Sequence, residues 1–172
     1  MPELKMLGRD MRPCILIIVE SELNEKSELR RLLKDLFATQ LLAVLAAQTE
    51  GQPYTSLVAF SEADELKYLL FATSRNTHKY TNIVRNPRVA MLVDNRSNRD
   101  SDFRNAVAVT ATGEAEEVQG LEKDRLVNLY LAKHPYLEEF VSSPDTALFR
   151  VRIHDYKVVS DFQNVVGLEI VD

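Results

Sequence analysis

The amino-acid sequence predicts an α+β domain in which helices flank an antiparallel β-sheet or barrel. Five or six segments rich in strand formers follow one another mostly at hairpin-like distances, which disfavours a parallel sheet. Amphipathic segments with apolar residues at helical spacing lie before and between these strands. The chain has 172 residues, of which 45% are hydrophobic and 27% charged, as expected for one globular domain.

The amino-terminal part divides into a lead-in and the start of the domain. Residues 1–20 are interpreted as a lead-in with a short strand at residues 15–19, where β-branched and apolar side chains adjoin. The domain is assigned to residues 21–172. A helix is predicted for residues 21–37, because leucines recur at helical spacing among charged residues. Residues 41–48 favour a strand, although their alanine content also suits a helix.

The rest of the chain alternates between strand and helix signals. A turn at residues 50–53 precedes a hairpin, and Pro87 ends a short helix. The predicted strands are residues 54–60, 66–73, 88–93, 106–118 and 147–162. The predicted helices are residues 76–84, 121–133 and 135–141, and residues 94–105 form a polar loop. These elements indicate a fold class without indicating a function.

Composition and charge argue against several classes of function. The formal net charge of −5 disfavours a basic surface for nucleic acid. The longest apolar run is too short to cross a bilayer and no signal-peptide pattern is present, so we expect a cytoplasmic protein without a membrane partner. Cys14, the only cysteine, is expected to be an inert core residue. The scattered histidines predict no metal site, and Glu116 and Glu117 are interpreted as solvated surface.

The stretch most suggestive of chemistry is residues 73–79, which follows a predicted strand and opens a predicted helix. It contains three hydroxyl groups, one imidazole and two cations. Backbone N–H groups at a helix N-terminus, hydroxyl donors and a nearby cation together suit a phosphate. A capped helix with solvated Arg75 and Lys79 explains the same residues. The local pattern leaves both interpretations open and indicates no catalytic acid or base.

Five short motifs occur in order and at fitting distances along the chain. They are a Pro-led strand with a serine at residues 53–60, a hairpin, a strand ending in Thr73, a hydroxyl two residues before Lys79, and the Asn-Pro-Arg-Val run at residues 86–89. In this combination the sequence resembles the pyridoxamine 5′-phosphate oxidase-like family over about residues 30–163. The resemblance implies an antiparallel split β-barrel that works as a homodimer, with FMN at the subunit interface.

The same resemblance implies a role for each of a small set of residues. Lys79 would be the cation that holds the FMN phosphate. Its companions at the phosphate would be Thr73, Ser74, Arg75, Thr77 and His78. The strand beside the isoalloxazine ring would be formed by Thr55, Ser56, Leu57 and Val58. From other parts of the chain, Asn95 would reach the flavin of the partner subunit. Phe162 and Gln163 would lie near the flavin ring, where relatives place an aromatic side chain.

The sequence also departs from the family pattern. True pyridoxamine-phosphate oxidases continue into segments that carry an Arg and a His for the substrate phosphate, whereas this chain ends at Asp172. We therefore expect an FMN-dependent oxidoreductase whose substrate is not vitamin B6. The alternatives are a flavin-binding protein without turnover, and a deazaflavin- or haem-using relative on the same fold. A haem would need an axial ligand, for which His134 and His154 are the candidates.

Overall fold

The structure is a computed structural model that describes residues 11–160 and 164–170, with side chains from residue 24 onward. The strands are β1 (Leu42–Thr49), β2 (Gln52–Ala63), β3 (Tyr68–Ser74), β4 (Arg88–Asp94), β5 (Ala108–Glu117), β6 (Thr146–Ser160) and β7 (Asn164–Glu169). The α-helices are α1 (Met11–Thr39), α2 (His78–Arg85), α3 (Asp102–Asn105), α4 (Lys123–Lys133) and α5 (Glu138–Ser142). Short 3₁₀ turns, Gly120–Glu122 and Pro135–Leu137, precede α4 and α5.

Six antiparallel strands close into a barrel. The sheet has the order β3-β2-β1-β4-β5-β6-β7, and an additional pairing of β3 with β6 completes the closure. Strand β7 pairs with the second half of β6 and extends the sheet beyond the barrel. The α+β class and the antiparallel barrel with flanking helices are therefore confirmed.

The barrel is split between β2 and β3. These strands pair over a short stretch, which begins where Phe60 lies opposite Phe71 and ends where Ala63 lies opposite Tyr68. Beyond Phe71, β3 continues along β6 as far as Ser74, whereas β2 continues along β1. Within the described residues, no strand pairs with the edge of β2 that faces away from β1 over residues 54–58.

Alternating side chains of the strands fill the barrel, as the two-residue period of a β-strand requires. On β1, Ala43, Leu45 and Ala47 are buried, and Phe60, Phe71 and Tyr156 are among the largest fully buried side chains. One end of the barrel is covered by α1, whose Leu33, Leu36 and Phe37 join this core. A second cluster beneath α4 contains Leu126 and Tyr130.

The amino-terminal prediction is wrong in one respect. Residues 15–19 belong to α1 rather than to a strand. The apolar β-branched run suggested a strand, but the helix of residues 21–37 continues backwards through it. None of the described helices has the length and apolar character needed to cross a membrane.

Candidate functional site

The turn between β3 and α2 is held together by hydroxyl groups. Thr77 is the N-cap of α2, and its Oγ1 accepts a hydrogen bond from the Tyr80 N–H at 3.3 Å. The same hydroxyl donates to the Ser74 carbonyl at 2.8 Å. Buried Thr73 places its Oγ1 3.1 Å from that of Thr77. Thr73 and Thr77 therefore shape this turn, and the predicted helix cap is confirmed.

The first turn of α2 presents unpaired donors. Within the described residues, neither the His78 nor the Lys79 backbone N–H donates a hydrogen bond. The aligned peptide dipoles place partial positive charge at this helix end. Lys79 is partly exposed and adds a cation on the same turn. These groups together suit an anion with several acceptor oxygens, such as a phosphate monoester.

Side-chain contacts bring this helix end next to the open part of β2. The rings of Tyr54 and His78 lie 6.2 Å apart between centroids. On the neighbouring strand, the Thr49 hydroxyl donates to Asn82 Oδ1 of α2 at 2.7 Å. The structure thus joins two segments, residues 54–58 and 73–79, that the sequence assigned to one site.

The four strand residues expected beside a flavin ring differ in exposure. Thr55 and Leu57 are exposed on the outside of the barrel, whereas Val58 is buried in the core. Ser56 has a buried Oγ that forms no hydrogen bond within the described residues. Because an unpaired buried hydroxyl costs stability, this atom is suited to receive a ligand group.

The structure gives Arg75 a partner that the sequence interpretation missed. Its guanidinium forms a bidentate ion pair with Glu117, with N–O distances of 2.8 and 2.7 Å. The side chain of Glu117 is only 19% exposed, so its interpretation as solvated surface is wrong. The hydrogen bonds from Arg75 hold the pKa of the Glu117 carboxyl below its usual value. No local signal predicts this pair, because 42 positions separate the two residues.

The remaining candidates lie elsewhere. Asn95 follows β4, and its Oδ1 accepts a hydrogen bond from the Val107 N–H at 2.7 Å. Leu57 of β2 and Leu92 of β4 both pair with Val44 of β1, so β2 and β4 run in the same direction. Asn95 therefore lies beyond the Leu57 end of the unpaired edge of β2, whereas α2 adjoins the Tyr54 end. The structure therefore does not bring Asn95 to its own chain's residues 73–79. Phe162 and Gln163 lie outside the described residues.

Comparison with known families supports the motif analysis. The family model of pyridoxamine 5′-phosphate oxidase matches residues 29–160, which is most of the chain. The chain belongs to the pyridoxamine 5′-phosphate oxidase family. The match includes the unpaired edge of β2 at residues 54–58 and the residues around the N-terminus of α2. A comparison with curated proteins finds no match.

Solved structures that resemble this family member differ in what they bind. A heme-binding protein from Mycobacterium smegmatis has a TM-score of 0.70 at 18% identity, over 78% of this chain and 55% of that one. An FAD-binding protein from Mesorhizobium loti has a TM-score of 0.59 at 19% identity, over 73% of this chain and 89% of that one. General Stress Protein 26 from Bacillus anthracis has a TM-score of 0.62 at 18% identity, over 83% of this chain and 98% of that one.

These likenesses establish the fold alone. The chain spans little more than half the length of the heme-binding protein, and identities of this size carry no ligand from one protein to another. Because one fold hosts several ligands, the cofactor has to be argued from the site of this chain.

Proposed function

We propose that this family member is an FMN-binding oxidoreductase that works as a homodimer. The single observation that supports it most is the open edge of β2 at residues 54–58, next to the unpaired donors at the N-terminus of α2. A planar ring with polar edges suits an unpaired strand edge, because backbone N–H and C=O groups require partners. A terminal phosphate suits the helix end.

The residues of α2 would bind the phosphate. The backbone N–H groups of His78 and Lys79 are unpaired within the described residues, and the Lys79 ammonium adds a charge-assisted hydrogen bond. Thr73 and Thr77 already bond to each other, so they would position the turn rather than supply most of the affinity. A compact site of this kind favours the phosphate monoester of FMN over the FAD pyrophosphate, which must continue outward.

Residues of β2 would orient the ring. The unpaired backbone groups at residues 54–58 lie along one edge, and the Ser56 hydroxyl is a buried group without a protein partner. When bound, FMN would supply the electron- and hydride-transfer chemistry, and the protein would supply binding, orientation and exclusion of water. Among the described side chains, none is placed as a catalytic acid or base.

The homodimer is supported by an apolar outer face of the barrel. Leu41, Leu42 and Leu57 are 57%, 50% and 61% exposed. Val44 pairs in register with Leu57 on one side and with Leu92 on the other, so apolar side chains continue across three strands. Contiguous exposed apolar surface of this kind marks an interaction site, and a second copy related by a two-fold axis would cover it. Asn95, far from its own α2, would then serve the partner's cofactor.

A haem is less well supported by this chain. His134 is buried, and its Nε2 lies 2.7 Å from the Phe60 carbonyl oxygen, to which it donates. Use of that nitrogen as an axial ligand would break this hydrogen bond. His154 is exposed on β6, where its carbonyl accepts from the Ile170 N–H.

The visible spectrum of the purified protein tests the proposal. We expect a flavin spectrum, and chromatography of the heat-released cofactor should identify FMN. A Soret band would instead indicate haem, and a colourless protein that takes up a deazaflavin but no FMN would also contradict the proposal. Consumption of NADH or NADPH by the flavin-loaded protein then separates an oxidoreductase from a flavin-binding protein without turnover.

A further inference from the structure

Arg75 lies two residues before the N-cap of α2, and its guanidinium donates four hydrogen bonds within the protein. Its Nη1 and Nη2 donate to the two carboxylate oxygens of Glu117. Nη1 also donates to the Tyr80 hydroxyl at 3.1 Å, and Nε donates to the Pro144 carbonyl at 3.4 Å. Every nitrogen of the guanidinium therefore has a partner on a neighbouring element.

Tyr80 closes this cluster from α2. Its hydroxyl accepts from Arg75 and donates to Glu117 Oε2 at 3.3 Å. The Arg75 backbone N–H donates to the Asp145 carbonyl at 2.8 Å, just before β6. The cluster thus connects the end of β3, the first turn of α2, the end of β5 and the start of β6.

This connection fixes the turn that directs the donors of α2. Apart from the bond of the Arg75 N–H to Asp145, the backbone of the turn is held by short-range bonds, such as those from the Thr77 N–H and hydroxyl to the Ser74 carbonyl. Arg75 lies inside this turn and ties it to two strands of the barrel. The directions of the His78 and Lys79 N–H groups follow from the position of the turn.

We infer that Arg75 and Glu117 are positioning residues, which hold the N-terminus of α2 in the orientation that the cofactor phosphate requires. The inference rests on the proposed FMN site and assigns a role to each member of the pair. Arg75 acts through the turn and not as a phosphate ligand. Glu117 acts by keeping Arg75 in place.

The opposite role for Arg75 makes a different prediction. If Arg75 left Glu117 to bind the phosphate, the carboxylate would compete with the cofactor for the guanidinium. Removal of the Glu117 charge would then strengthen FMN binding. In the positioning role, removal of either partner weakens FMN binding, and removal of both adds little to either single change, because the residues act as one unit.

The test compares FMN with riboflavin, which lacks the phosphate, in equilibrium titrations of apoprotein. The variants are Arg75→Gln, Glu117→Gln and the double variant, with Tyr80→Phe as a milder change that removes only the bridging hydroxyl. Each single change to Gln should weaken FMN binding about three- to tenfold, the effect of misplacing one neutral donor, and leave riboflavin binding unchanged. Tyr80→Phe should act in the same direction by a smaller factor.

A matched control lies next to Glu117. Glu116 forms an ion pair with Arg150 at the same end of β5, away from the turn. Glu116→Gln should change neither FMN nor riboflavin binding. Melting temperatures of all variants verify that each is folded at the temperature of the titration.

The outcomes distinguish failure of the positioning role of Arg75 and Glu117 from failure of the proposed phosphate site. Tighter FMN binding by Glu117→Gln would overturn the inference and make Arg75 a phosphate ligand. Lower melting temperatures with an unchanged ratio of FMN to riboflavin affinity would also overturn it, since the pair would then stabilise only the fold. Equal affinity of the unmodified protein for FMN and riboflavin would instead overturn the proposed phosphate site itself.

Discussion

Phe60 and Phe71 form the last register pair between β2 and β3 before the two strands diverge. Past this pair, β3 remains on β6 and β2 remains on β1. The divergence leaves the backbone of residues 54–58 unpaired along one edge within the described part of the chain. It also leads β3 into the turn that opens α2, so one split in the barrel creates both parts of the proposed cofactor site.

Lys79 is predicted to contribute most to phosphate binding. Lys79→Ala should weaken FMN binding roughly ten- to a hundredfold, because a charge-assisted hydrogen bond contributes about 1.5–3 kcal/mol. Riboflavin binding should not change. Arg85→Ala removes an exposed cation from the last turn of the same helix and is the control. A change of less than about twofold for Lys79→Ala would mean that Lys79 is only a solvated helix residue.

The apolar face of the barrel is predicted to be the dimer interface. Leu42→Glu places a charge in that face, and it should convert a dimer into a folded monomer because burial of an unpaired carboxylate is costly. Sedimentation velocity measures the change. Leu121→Glu alters a side chain that is fully exposed elsewhere and should leave the dimer intact. Sedimentation of the flavin-loaded wild-type protein as a monomer at micromolar concentration would contradict the interface.

Gly113 is predicted to be required for the close contact between β5 and β6. A Cβ added there would lie 2.1 Å from the Arg152 carbonyl oxygen, and the strand register shifts at this position. Gly113→Ala should lower the free energy of unfolding by about 1–3 kcal/mol, the usual cost of overpacking. Gly167→Ala meets only the flexible end of Lys157 and should be nearly neutral. Equal melting temperatures for the two variants would show that β5 and β6 can move apart freely.

Lys133 is predicted to make stability rise with pH in alkaline solution. Its Nζ donates to the Phe37 carbonyl at 2.7 Å and lies 3.9 Å from the Phe60 ring centroid. Burial lowers the pKa of Lys133 to about 8, and the attraction of the Glu62 carboxylate opposes this shift only in part. Between about pH 8 and the ordinary lysine pKa of about 10.4, the unfolded chain keeps a proton that the folded chain has lost. The contribution of Lys133 to unfolding free energy therefore increases through this range.

Urea unfolding at several pH values measures this contribution. The Lys133→Met variant should lose the rise that Lys133 adds, whereas Lys123→Met, an exposed change on the same helix, should keep it. Identical pH dependence for the wild type and Lys133→Met would mean that the Phe37 and Phe60 contacts fully compensate the burial of the charge.

Most of the barrel was predictable because its strands carry strong local signals. The turn residues before residues 88–93 and the alternation of residues 106–118 predict two strands, which correspond closely to β4 and β5. Strand β7 was missed because residues 164–169 form a short segment with a glycine and little alternation. Residues 15–19 were misassigned because a short apolar run has no period that separates a strand from a buried helix.

The candidate site was predictable in its residues but not in its internal bonds. The hydroxyl and cation types of residues 73–79 are visible in the sequence, and family motifs join them to residues 53–60. The pairing of Arg75 with Glu117 depends on closure of the barrel between β3, β5 and β6. Long-range contacts of this kind have no signature in one sequence, so the local pattern places Arg75 beside Lys79 at the phosphate and does not reveal its pairing with Glu117.

The most direct test of the central claim is an equilibrium titration of dimeric apoprotein with FMN and, in parallel, with FAD. Quenching of flavin fluorescence reports binding. We predict saturation at one FMN per chain, with FMN bound about tenfold or more tightly than FAD, because only the phosphate monoester ends within the site at α2. Tighter binding of FAD, or the absence of saturable FMN binding, would contradict the account.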